Sequence, residues 1–161
     1  MEKIIHPMKK LSLIVVGLVV ACLGLAAAEL SDVSFVLGPK KLKDGDMIVV
    51  EQVRATSPKL EGGDTVVVRG RYELKSEERA IIGLSLTQTV GNGSEQVVPA
   101  QWTEIKKGSG EFELSYQVKH IGALHLTFST VPEKKSFGTV YFGTPQQLDR
   151  IRNMSLADFD K

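Results

Sequence analysis

Apolar and polar residues alternate with period two over most of this chain, and amphipathic helical spacing is nearly absent. In residues 110–118, Phe112, Leu114, Tyr116 and Val118 fall on one side and Glu111, Glu113, Ser115 and Gln117 on the other. That pattern predicts a strand with one face in a core and one in water, because successive strand side chains point to opposite faces. Residues 64–74 repeat it, with Val66, Val68, Tyr72 and Leu74 against Arg69, Arg71 and Glu73, and residues 79–89 do so with Ile82, Leu84 and Leu86. Further strands are expected over 47–53, over 121–131 with Leu124, Leu126 and Phe128 inward, and over 137–142 with Val140 and Phe142 inward. Residues 96–106 are less regular, and Pro99 interrupts them, which suits an edge strand or a bulge because proline donates nothing to a ladder.

Turn chemistry separates these runs at Gly91-Asn92-Gly93 and at Gly108-Ser109-Gly110. A turn feeding a strand occurs twice, at Leu42-Lys43-Asp44-Gly45-Asp46-Met47 and at Leu60-Glu61-Gly62-Gly63-Asp64-Thr65. The echo goes no further, so it reads as one local solution used twice and not as a repeat architecture. Only the end of the chain predicts helix, where Thr144 is placed as N-cap and Pro145 at the first helical position before Gln146-Gln147-Leu148-Asp149-Arg150-Ile151. The expected fold class is all-β, an antiparallel immunoglobulin-like sandwich of about seven strands with a short C-terminal helix. Residues 29–46, with Gly38, Pro39 and the cluster Lys40, Lys41 and Lys43, read as a leader, 47–143 as the β domain, and 144–161 as short helix and tail.

Residues 1–28 have the three-part plan of a signal peptide: Lys9 and Lys10, an apolar run from Leu11 to Leu25, then Ala26-Ala27-Ala28. Met8 provides a second natural start ahead of that plan. Two processing routes fit. Cleavage after Ala28 gives a soluble periplasmic or secreted product beginning at Glu29. Acylation of Cys22, in the lipobox-like Val19-Val20-Ala21-Cys22, gives a membrane-anchored lipoprotein, the one route by which a membrane enters as a partner.

The chain has 161 residues, 20 basic against 19 acidic groups, and a net charge of +1. Lys3, Lys9, Lys10 and Glu2 lie in the first 28 residues, which leaves 17 basic and 18 acidic groups beyond them. A nucleic-acid binder concentrates cations to displace counterions from phosphates, and here both signs interleave, so nucleic acid is excluded as a partner. Cys22 is the sole cysteine, so a domain cleaved at Ala28 has neither a disulfide nor a thiolate metal site.

Gly63-Asp64-Thr65-Val66-Val67-Val68-Arg69-Gly70 is similar to the motif that opens a strand in many bacterial immunoglobulin-like and fibronectin-type-III-like modules. Residues 110–118 and 121–128 then resemble the E and F strands of such modules, and the similarity spans 47–143. The cysteine–tryptophan–cysteine pattern of antibody domains is absent. The resemblance implies a fold and not a function.

Chemistry-bearing candidates are sparse. His120 and His125 are five apart and face opposite ways on a strand, which disfavours a metal pair, and His125 in the opposite phase to Leu124 and Leu126 reads as an exposed sheet histidine. Glu111 and Glu113 project from one face about 7 Å apart, within the spacing of glycosidase carboxylates, yet such pairs are ordinary on a wet sheet face. Asp44, Asp46 and Asp64 suit turns and match no complete calcium loop. Trp102, the sole tryptophan, and Tyr141, out of phase with Val140 and Phe142, are the candidate ligand-binding residues, as exposed rings that stack on sugars or anchor a protein. Trp102 as a cap on the core is the plainer alternative. Asn92-Gly93-Ser94 matches a glycosylation sequon, to which a bacterial-type signal gives no role. No cofactor and no enzyme are expected. The expected function is a non-enzymatic exported module that presents a surface to a protein or envelope partner, with a carbohydrate-binding module as alternative and a small hydrolase as a remote one.

Overall fold

The structure is a computed structural model that describes residues 29–90 and 101–152. The export segment with Cys22, the turn at Gly91, the sequon, Pro99 and the tail beyond residue 152 lie outside the described residues. Seven strands and one helix follow in order: β1 (Ser31–Asp32), β2 (Val36–Lys41), β3 (Met47–Ala55), β4 (Thr65–Val90), β5 (Trp102–Gln117), β6 (Ile121–Ser129), β7 (Ser136–Gly143) and α1 (Pro145–Ile151). All pairings are antiparallel, and the strands join one curled sheet in the order β1-β3-β4-β6-β7-β2, with β5 pairing β4 alone.

The spine is β4, a strand of 26 residues where the sequence pattern predicts two. β5 runs along one edge of it from Thr65↔Gln117 to Gly83↔Trp102. β3 occupies the other edge of its first half and β6 the other edge of its second half. The apparent break over residues 75–78 is a bulge: Leu74 pairs Gly108 and Arg79 pairs Lys106, so four residues of β4 stand against Lys107 alone. Asp46 pins that bulge, accepting hydrogen bonds from the Lys75 amide at 2.8 Å, the Ser76 amide at 3.0 Å and the Ser76 hydroxyl at 2.6 Å. Burial raises the Asp46 pKa, but the Ser76 hydroxyl and the two amides outweigh it and hold the carboxyl below its usual value.

The predicted turn at Gly108-Ser109-Gly110 is likewise interior to a strand. Gly108 has φ +113, a conformation that favours glycine, and there β5 changes phase: Ile105 points inward on one side, Phe112, Leu114 and Tyr116 on the other. A one-residue change of phase looks in sequence like the end of one strand and the start of another.

Residues 29–46, read as a leader, supply β1 and β2. Their sequence hides this because β2 is an edge strand whose residues are exposed or half-buried, so no apolar alternation develops. Gly38 and Pro39 occupy a bulge between Leu37↔Phe142 and Lys40↔Val140, where the missing proline N–H costs no ladder bond.

One core holds residues from both halves of the spine. Val50, Val53, Val66 and Val68 belong to the same buried cluster as Leu84, Leu126, Phe128 and Phe142. Leu60, fully buried in the loop between β3 and β4, closes one end. The helix forms where expected, with Thr144 and Gln147 making a reciprocal capping box and Pro145 in the first turn. It lies against the outer face of β6 and β7 and buries Leu148 and Ile151 with Ala123 and Tyr141 in a second, smaller cluster.

Candidate functional site

Outside the core, the sheet's second half shows a face built by strand register. Ser85 of β4, His125 of β6 and Tyr141 of β7 form one cross-strand row, and Gly83, Thr127 and Thr139 form the next. Tyr141 is thus on the outer face, as its phase requires, but it is not exposed: at 2% exposure it lies in the cluster beneath α1. Its hydroxyl shares a hydrogen bond of 2.7 Å with Thr87 Oγ1, and burial, partly offset by that bond, raises its pKa. His125 stacks on it with ring centroids 4.8 Å apart and planes at 26°. The expectation of an exposed histidine is corrected in the same way. His125 is half-buried, its Nδ1 is out of solvent without a hydrogen-bond partner, and desolvation lowers its pKa to about 4.

Trp102 stands at the start of β5, paired with Gly83. The edge expected of this run is present, since β5 pairs only β4. The indole is half-buried, and Lys134 Nζ lies 5.0 Å from its ring centroid. Both line a concavity of about 210 Å³, together with Gly83, Ser85, Thr127, Ser129 and Gln101. The platform of two aromatic rings therefore does not assemble. Trp102 opens on this concavity, whereas Tyr141 lies under the helix.

A second surface lies at the far edge. Val36 and Leu37 of β2 are 44% and 61% exposed, and Gly38, Pro39, Pro145 and Leu148 continue from them into a groove of about 380 Å³, with Asp149 and Arg152 on its rim. Leu148 packs so closely on Gly38 that a Cβ there would come within 2.8 Å of Leu148 Cδ2. The sequence reading missed this surface because it assigned both residues to a leader. The usable signal was Val36-Leu37 beside Gly38-Pro39, an apolar pair at the kind of bulge that edge strands carry.

The outer face of the first half is a charge ladder. Arg69 pairs with Glu113, Arg71 with Glu51, Arg79 with Glu104, and Lys107 with Glu78 at 2.7 Å. Glu113 is therefore held by its register partner Arg69, and Glu111 stands opposite Arg71. A concavity of about 410 Å³ above these residues mixes both signs. Asp64, as expected of a turn residue, accepts from Thr56 Oγ1, Ser57 Oγ and the Glu61 amide.

Ser85 beside His125 is the arrangement closest to a nucleophile and base. A working base is oriented by a hydrogen bond at its second nitrogen, and His125 Nδ1 has none; among the described residues no carboxylate lines the neighbouring concavity. Among the described residues no group of three or more His, Cys, Asp or Glu is placed to hold a metal ion. No family model, curated protein or solved structure matches the chain.

Proposed function

We propose that this chain is an exported, non-enzymatic immunoglobulin-like module that works by presenting a surface to a protein partner. The sandwich is built from one continuous sheet. Its two layers are the two halves of β4 with β3 on one and β6 on the other, a reading supported by the single core between them.

The observation that carries the interaction reading is the edge at β2. Two large apolar side chains on an edge strand, beside a groove floored by a helix, form a contiguous apolar surface of the kind that marks interaction sites. Beyond Gly38 and Pro39 the strand continues with Lys40, and Arg152 rims the groove. The partner is accordingly an extended segment with apolar side chains beside Val36 and Leu37 and acidic ones beside Lys40, running along β2 as an added strand. The sequence plan of residues 1–28 supports a meeting outside the cytoplasm.

Site-specific photo-crosslinking in an expressing bacterium tests this. A crosslinker at Leu37 is expected to give one adduct of discrete mass, weakened by Lys40→Glu, and the same crosslinker at Lys107, in the charge ladder, none. Equal or absent adducts at the two positions overturn the reading.

A further inference from the structure

We propose that the concavity lined by Trp102 and Lys134 is a binding site for a single sugar ring that carries a carboxylate. It stands on the opposite side of the sheet's second half from the β2 edge in strand order, between β5, β4 and β6, and neither surface depends on the other.

Size limits the ligand first. Pockets for drug-sized molecules begin at roughly 300 Å³, and about 210 Å³ is room for one ring and its substituents. The lining then sets its chemistry. An indole beside the space suits the C–H face of a pyranose, and the hydroxyls of Ser85, Thr127 and Ser129 with the Gln101 amide suit a ring that displays hydroxyls.

Charge sets the rest. Among the described residues Lys134 is the one ionised residue in the lining, and no acidic side chain opposes it there. Its ammonium lies over the indole, an interaction weaker than a charge-assisted hydrogen bond to a carboxylate, so an acidic ligand draws it over while a neutral one must displace it. Lys134 also has a positive φ, at 57°, fixed by a turn in which its amide donates to Thr130 O at 3.0 Å. Glycine would hold that backbone with less strain, and the lysine that stands there sends its side chain to the indole.

Gly83 leaves the floor open. A Cβ there meets Thr127 Oγ1 at 3.6 Å and the Gln101 carbonyl and Trp102 Cβ at 3.7 Å, which are ordinary contacts. The position therefore has room for a Cβ, and Gly83→Val is expected to fill the site with a residue that favours strands.

Because Trp102 is the sole tryptophan, its emission reports this site directly. The protein is titrated with galacturonate, glucuronate and N-acetylmuramate, and with galactose, glucose and N-acetylglucosamine as neutral counterparts. A saturable, salt-weakened change is expected with at least one acidic sugar, about tenfold or more tighter than with its neutral counterpart. Lys134→Gly and Gly83→Val are each expected to weaken it by about tenfold or more, with unfolding midpoints kept within about 4 °C. The two act at separate points, so whichever is folded decides if the other is not. No saturable change with any of the three acidic sugars overturns the proposal. So does equal affinity for the neutral counterpart, or full binding by the folded variants.

Discussion

His125 shows how one residue's place on a sheet can be legible while its surroundings are not. Its phase opposite Leu124 and Leu126 put it on the outer face, and it is there. Tyr141, on which His125 stacks, is covered by α1, and a helix seven residues long carries no local sign of the strand it will lie on. The same blindness made Tyr141 look exposed, whereas Trp102, half-buried on the edge strand β5, lines an open concavity. Burial of a neutral histidine has a consequence in pH. The folded pKa is about 4 against 6.5 for a free side chain, so between those values the unfolded chain binds the proton more readily. His125 therefore favours folding fully above pH 6.5, and that contribution falls as pH drops toward 4, by on the order of 3 kcal/mol. His125→Phe keeps the stack on Tyr141 and removes the titration. In thermal unfolding from pH 7 to 4.5, the variant's midpoint is expected to fall less than that of the native protein; parallel curves would contradict the assignment.

Among the elements, period-two alternation located the body of β3 through β7, and the capping residues located α1. It failed where register changes. The bulge over residues 75–78 and the phase change at Gly108 each broke a long strand into two apparent ones, because bulges are settled by partners such as Asp46 that come from elsewhere in the chain. Short edges such as β1 and β2 have no alternation to read. The groove beside β2 was therefore illegible, and the concavity at Trp102 only half legible, since Lys134, Ser85 and Thr127 come together through pairing alone. α1 is fixed by a side chain that the capping box explains in part. Gln147, 1% exposed, receives the Thr144 amide at its Oε1 at 2.9 Å and donates from Nε2 to the Leu60 carbonyl at 2.7 Å, tying the helix to the loop that closes the core. Gln147→Ala leaves both groups without that partner and is expected to cost about 2–3 kcal/mol in denaturant unfolding. Arg150→Ala removes only the exposed pair with Glu61 and is expected to cost under about 1 kcal/mol. Equal losses would mean that the helix is held by its surface charges instead.

At the scale of the whole molecule, one curled sheet organised on a long strand encloses the main core, and no disulfide lies among the described residues. The surfaces left over divide by chemistry: a compensated charge ladder, an apolar edge at β2 and a polar concavity with one indole and one ammonium. The near-neutral balance outside the first 28 residues has a structural form in the paired rungs of that ladder. Our account places both working surfaces outside the cytoplasm, so it depends first on export. The most direct test is intact-mass spectrometry of the protein recovered from the soluble extracytoplasmic, membrane and cytoplasmic fractions of an expressing bacterium. The account predicts a soluble extracytoplasmic species that begins at Glu29; a species beginning at an acylated Cys22 in the membrane fraction would keep export and make the protein an anchored one. An unprocessed chain that still carries residues 1–28 and stays in the cytoplasmic fraction would contradict it.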